Sequence, residues 1–308
     1  MEITVIRGGM LTTVQDLGRR GHRAAGVPLG GAMDPMALRV ANLLVGNPED
    51  AAVLECTLLG PELLFSTATV IALGGADFEG LAAWQPVAVP AGGRVKLGAA
   101  RRGCRGYLAV AGGLDVLPVL GSRSTYLRGG FGGFHGRALR DDDILAASGV
   151  ERRMTDHWRI DARILPAYSA APTVRVVPGA QLDEFGGALF AAEFRIMPQS
   201  DRMGIRLGAS KLVRIGGAAE MVSSAVAPGT VQVPPDGQPI VLMADAQTLG
   251  GYPMAAHVIS VDLPLVAQLR PGDRLRFTEM PVEEAQRLAL AREHVLAMLH
   301  EGLGQKFR

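Results

Sequence analysis

Forty glycines and 19 prolines punctuate this 308-residue chain, cutting it into short runs rich in Val, Ile, Leu and Thr. Glycine permits turns with positive φ and proline withholds a ladder N–H, so this spacing favours many short strands over long helices. Residues 68–73, 174–177 and 240–243 are such runs, and residues 1–7 alternate like a strand. The pattern predicts a mainly β protein with a few helices.

Three segments read as helical. Asp34 stands at an N-cap position with Pro35 at the first helical position, apolar residues recur at 36, 37, 40, 43 and 44, and Gly46 stops the run. A second candidate covers residues 182–192. A third covers 282–299, where Leu288, Val295, Leu296 and Leu299 share one face, as in a helix docked on a body. Over residues 148–172, Glu151-Arg152-Arg153 and several prolines break the strand rhythm. We therefore read two β-rich lobes, 1–165 and 166–308. The boundary is either a single cut or discontinuous, with an N-terminal strand completing the second lobe. The halves share an order of strand, polar loop and helix, without an exact repeat.

A net charge of +1 offers no bulk attraction for nucleic acid or an anionic membrane. Lysine occurs only at 96, 211 and 306, and the arginine excess reads chiefly as genome composition. Cys56 and Cys104 lie far apart among small or apolar neighbours, which predicts buried free thiols in a reducing cytoplasm. No signal pattern opens the chain and no apolar run approaches the ~20 residues that span a bilayer, so a soluble cytoplasmic protein is expected. Six scattered histidines show no metal-ligand spacing, and no metal is expected. His22 and His135 lie in glycine-rich loops and read as exposed. There is no Gly-Lys-Ser/Thr phosphate loop and no Gly-x-Ser-x-Gly elbow. The glycine cluster at 129–136 misses the dinucleotide spacing and reads as a flexible loop that a ligand could order.

Three polar segments remain as candidate chemistry. In the first, Gln15 and Asp16 lie in a loop leading to the helix capped by Asp34. That helix N-terminus either attracts an anion, or the polar groups simply satisfy turn amides. In the second, Asp201, Arg202 and Arg206 flank Gly204. They form either a bidentate clamp for carboxylate or phosphate, or an internal ion pair fixing a turn. In the third, Gln247, Thr248, Gly250, Gly251 and Tyr252 offer an amide, a hydroxyl, glycine N–H groups and a phenol within a few residues, a combination suited to a small amide-bearing molecule.

Several motifs together carry a resemblance: Thr12-Thr13-Val14-Gln15-Asp16-Leu17-Gly18-Arg19, Gly31-Ala32-Met33-Asp34, Leu54-Glu55, Asp201-Arg202-Met203-Gly204, Pro228-Gly229-Thr230-Val231-Gln232-Val233-Pro234, Gln247-Thr248-x-Gly250-Gly251-Tyr252-Pro253 and Gln268-Leu269-Arg270-Pro271-Gly272-Asp273. In order and coverage the chain resembles the family of allophanate hydrolase subunit 2 and the 5-oxoprolinase C subunit, which is biotin-dependent carboxyltransferase-like. The resemblance implies two cyclophilin-like β-barrel lobes. It implies two partners, a B subunit (the allophanate hydrolase subunit 1 type) and an A subunit, in ATP-dependent opening of 5-oxoproline to L-glutamate, with ATP bound here or on a partner. In that chemistry Asp201, Arg202 and Arg206 are the candidate catalytic residues, while Gln15, Asp16, Gln247, Thr248, Gly250, Gly251 and Tyr252 are the candidate substrate-binding residues. Two further roles are implied by relatives. One moves a carboxyl group from carboxybiotin, held on a separate carrier, to urea or a related amide. The other is a non-catalytic partner that antagonises a kinase inhibitor. Two departures stand out: Ile205 where relatives often have Tyr, and Asp141-Asp142-Asp143 in place of a Gly-Asp turn.

Overall fold

A computed structural model describes residues 1–149, 158–216, 221–304 and 306. The interrupting Glu151-Arg152-Arg153 lies outside the described residues. The chain is mostly β, with 18 strands and four α-helices among the described residues. It divides into two compact units. One comprises Met1–Arg19, Gly30–Pro166 and His294–Arg308, and the other comprises Arg20–Leu29 and Ala167–Glu293. The division is thus discontinuous, and it is a ten-residue loop, rather than a strand, that leaves the N-terminal part for the second unit. The end of the C-terminal helix joins the first unit because Leu296 is buried in a core there.

The first unit holds two antiparallel sheets. Five strands run in the order Leu11–Gln15, Val53–Thr57, Ala100–Val110, Thr69–Phe78 and Pro86–Val89. Four more run in the order Arg94–Lys96, Glu62–Phe65, Glu2–Arg7 and Ile144–Ala146. Ile3, Leu63 and Phe65 from the smaller sheet meet Leu54, Ile71 and Leu108 from the larger in one core. Alternate residues of the larger sheet, Val53, Ala72 and Tyr107, point the other way, into a second core with Val40 and Leu44 of the helix Pro35–Leu44. Successive strand residues face opposite sides. The larger sheet is therefore buried on both faces, and Thr69–Phe78 reads as a nearly unbroken apolar run.

The helix Pro35–Leu44 is built as its residues dictate. Asp34 accepts the Ala37 N–H at 3.0 Å, Pro35 occupies the first turn, and Gly46 at φ 69° follows the C-cap. The segment at 182–192 departs from one helix. It is a 3-10 turn, Leu182–Phe185, and a separate short helix, Ala188–Ala191, parted by Gly186 at φ 56° and Gly187. The last helix, Val282–Gly304, extends past the expected end; Leu288, Val295 and Leu299 are half-buried on its less exposed face, and Leu296 is fully buried there.

In the second unit the ladder closes. A seven-stranded barrel runs Thr173–Pro178, Met254–Val258, Thr230–Gln232, Ile240–Leu242, Gly204–Gly208, Phe194–Ile196, Arg274–Glu279, and returns to Thr173–Pro178 through a parallel pairing. Val174, Phe194, Leu207, Val241 and Phe277 are buried within this unit. Ile205 is buried with them, so this position serves packing rather than a ligand-facing ring. A separate ribbon pairs Ser224–Ala225 with Leu249–Gly250. No helix is long and apolar enough to cross a membrane among the described residues.

Candidate functional site

The candidate residues divide between the two units. In the first, Asp16 is a hub at the end of the strand Leu11–Gln15. One carboxylate oxygen accepts from Gly18 N (2.8 Å), Ser122 Oγ (2.6 Å) and Ser124 Oγ (2.5 Å), and the other accepts from Arg123 N (2.5 Å). Gln15 donates to Thr13 Oγ1 and to the Thr125 carbonyl, and is fully buried. Ser122, Ser124 and Thr125, which sequence reasoning did not single out, are also buried. Their signal was a polar Ser-Arg-Ser-Thr run between apolar and glycine-rich stretches. A carboxylate holding four donors shapes its loop.

The helix N-terminus beyond this loop already carries its own anions. Asp34 caps it, and Glu55 Oε2 accepts the Met33 N–H at 2.9 Å. The Tyr107 hydroxyl accepts the Asp34 N–H at 2.8 Å. Burial first, and then neighbouring Glu55 and Asp34, push the Tyr107 phenol well above its ordinary value, so it stays protonated at neutral pH. With these groups in place, the anion reading of this terminus gives way to the capping one.

The glycine cluster at 129–136 is a series of tight turns rather than a loose loop. Gly130 N donates to the Tyr126 carbonyl and Gly136 N to the Gly132 carbonyl, and a side chain at Gly136 would strike Gly130. The acidic turn at 141–143 is likewise anchored, with Asp143 paired to Arg137 through two 2.7 Å contacts and Asp141 accepting the Gly8 N–H. Arg137 holds the Asp143 carboxyl below its ordinary value. Cys56 and Cys104 are free and buried, and burial pushes the Cys56 thiol up to about 12.

In the second unit, the three residues of the Asp201 segment have separate surroundings. Asp201 closes its own turn by accepting the Met203 and Gly204 N–H groups at 2.8 and 3.2 Å. Arg202 is buried and bound to both oxygens of Asp245. Arg206, on the strand Gly204–Gly208, is exposed and lines an open cleft of about 850 Å³ with Gln199, Gln238 and Tyr252. The two arginines therefore do not clamp one ligand, because the first already holds an internal carboxylate.

The segment at 247–253 starts from the same buried pair, since Asp245 lies two residues before Gln247. Gln247 Nε2 donates to Gln232 Oε1 at 3.3 Å, and Thr248 contributes its carbonyl to Val226 N. Gly250 packs against Gln232: a Cβ there would sit 2.4 Å from Gln232 Nε2, which would have to shift to make room. Gly251 and Tyr252 line a second cavity, about 470 Å³, which shares Tyr252 and the turn at 234–236 with the Arg206 cleft. Such volumes are those of small-molecule sites, roughly 300–1,000 Å³. The unit thus offers two neighbouring depressions around one half-exposed tyrosine, one with an unburied guanidinium. Among the described residues there is no metal-ligating cluster.

The description "carboxyltransferase domain, subdomain A and B" matches residues 25–279. The chain is similar to the 5-oxoprolinase C subunit of Escherichia coli, 42% identical over 293 residues, covering 92% of this chain and 93% of that protein. It is similar to the 5-oxoprolinase C subunit of Haemophilus influenzae at 37% identity, covering 96% of each. Among solved structures, the Kluyveromyces lactis urea carboxylase superposes with a TM-score of 0.89 at 31% identity, over 98% of this chain and 29% of that one.

Proposed function

Because the chain belongs to the carboxyltransferase domain family, subdomains A and B, we propose that it is the C subunit of an ATP-dependent 5-oxoprolinase. In this reading it acts only in a hetero-complex with the A and B subunits, in the cytoplasm, to open 5-oxoproline to L-glutamate. The observation that carries the proposal is 42% identity to the Escherichia coli 5-oxoprolinase C subunit over 92% of this chain and 93% of that one.

A lactam carbonyl is stabilised by amide resonance, so opening it requires activation. ATP supplies this by turning the carbonyl oxygen into a phosphate leaving group. The chain has no Gly-Lys-Ser/Thr loop to cradle phosphates, which supports an ATP site on, or shared with, a partner. Of the residues here, Gln247, Thr248, Gly250, Gly251 and Tyr252 hold the lactam, and exposed Arg206 faces developing negative charge. Arg202 acts through Asp245, setting the turn that carries these groups. Asp201 serves its own turn, and Gln15 and Asp16 hold their loop in position.

Purified A, B and C subunits with ATP should release glutamate from 5-oxoproline, and leaving out this chain should abolish the release. Undiminished glutamate formation without it would sink the proposal.

A second reading rests on the TM-score of 0.89 to urea carboxylase. It is transfer of a carboxyl group from carboxybiotin to urea or a related amide. The chain has no Met-Lys biotinylation sequence, so the biotin would ride on a separate carrier. Incorporation of labelled bicarbonate into urea, with a biotin carboxylase and carrier supplied, distinguishes the two.

A further inference from the structure

The cavity beside Tyr252 contains a cation that neither reading employs. Lys211, one of three lysines in the chain, lines it together with Gly251 and Tyr252. Neighbouring Arg214 is paired with Glu184, whereas Lys211 has no ion-pair partner among the described residues. The cavity's carboxylate, Asp236, turns back to accept the Gln238 N–H at 3.0 Å. Phe185, Leu212 and Pro234 make the surrounding wall apolar. The Gly251 and Tyr252 N–H groups donate to no partner among the described residues.

This cavity is also preformed. Gly237, at φ 77°, donates to the Pro234 carbonyl at 2.9 Å and accepts the Leu212 N–H at 2.9 Å, fixing the segment that bears Lys211 to the turn at 234–237. A pocket with an apolar wall, one ammonium outside any ion pair and two spare amide donors suits a ligand with a ring, one anionic group and one carbonyl. A compact ammonium serves as a point charge for a single carboxylate, without the planar fork that arginine offers a phosphate.

We propose that this cavity binds a small cyclic carboxylate. Its carboxylate pairs with Lys211, its ring lies against Tyr252 and the apolar wall, and its carbonyl accepts from the Gly251 and Tyr252 N–H groups. The choice of a lactam acid among cyclic carboxylates rests on the function proposed above.

The test is calorimetric titration of the full chain with 5-oxoproline, the uncharged 5-oxoprolinamide and cyclopentanecarboxylate. 5-Oxoproline should bind the native chain, and Lys211→Met should weaken it roughly tenfold or more, the loss expected for one charge-assisted contact. Lys211→Arg should fall between the two, and Lys96→Met, in the other unit, should match the native chain. 5-Oxoprolinamide should bind weakly and be indifferent to residue 211. Equal affinity of the native and Lys211→Met chains for 5-oxoproline overturns the proposal, as does failure of all three probes to bind. If the three-subunit assay yields no glutamate while cyclopentanecarboxylate still requires Lys211, the site stands and the 5-oxoprolinase reading falls. If glutamate forms with a KM indifferent to Lys211→Met, the reading stands and the site falls.

Discussion

Arg202 and Asp245 form a buried two-pronged ion pair, with Nε and Nη2 2.9 and 3.0 Å from the two carboxylate oxygens. The backbone doubles the link, since Asp245 N donates to the Arg202 carbonyl at 2.9 Å. Both side chains are about 5–6% exposed, so removing one strands the other in a medium that solvates charge poorly. Arg202→Ala should lower unfolding stability by about 3–5 kcal/mol in denaturant titration. Arg202→Met combined with Asp245→Leu should recover most of it. A double variant as unstable as the single one would refute this account.

Asp16 ties its loop to residues 122–124 through four donors. Asp16→Ala should cost at least about 2 kcal/mol, because hydrogen bonds to a charged acceptor contribute about 1.5–3 kcal/mol each and water can replace only the outer ones. The measurement is the shift in urea midpoint at constant slope. An unchanged midpoint would show that the loop does not depend on this carboxylate.

Gly74 marks where the helix Pro35–Leu44 presses on the larger sheet. A Cβ there would come within 2.4 Å of the Ala37 carbonyl oxygen. Gly74→Ala should therefore destabilise by about 1–3 kcal/mol or more, since neither the helix backbone nor a sheet packed on both faces can yield. Gly302→Ala is the control: nothing lies within 4 Å of a Cβ in that helical position, and alanine is the better helix former. It should not lower the melting temperature.

His257 gives a pH dependence. Burial lowers its pKa below the ordinary 6.5, and its Nδ1 lies 3.2 Å from Thr230 Oγ1. The unfolded chain then binds the proton more readily than the folded one. Its contribution to stability is complete above the unfolded value and is lost as pH falls from there through the lower folded value. His257→Gln should flatten that part of the stability profile, from about one unit above the ordinary histidine value of ~6.5 downward. An unaltered profile would assign the acid sensitivity to other groups.

Much of the fold is readable from particular residues. Asp34, Pro35 and Gly46 dictate one helix through purely local geometry, and the glycine spacing dictates short strands. The 182–192 segment misleads because its apolar residues match a helical period while Gly186 takes a positive φ that interrupts it. The Arg202 segment is legible as a charged turn, but its partner is Asp245, 43 residues away, rather than the adjacent Asp201. Lys211 offers only its rarity.

What the sequence by itself determined is therefore what depends on near neighbours: caps, turns, strand alternation, and the succession of motifs that marks the family. Only the tertiary structure decided which of the polar groups are consumed internally. Asp16 and Arg202 both carry the residue types of a ligand site, yet each is satisfied by groups distant in sequence. Burying a charge is costly unless it is paired, and only the folded chain brings the pairs together. That same requirement singles out Lys211 and Arg206, whose charges remain exposed beside Tyr252.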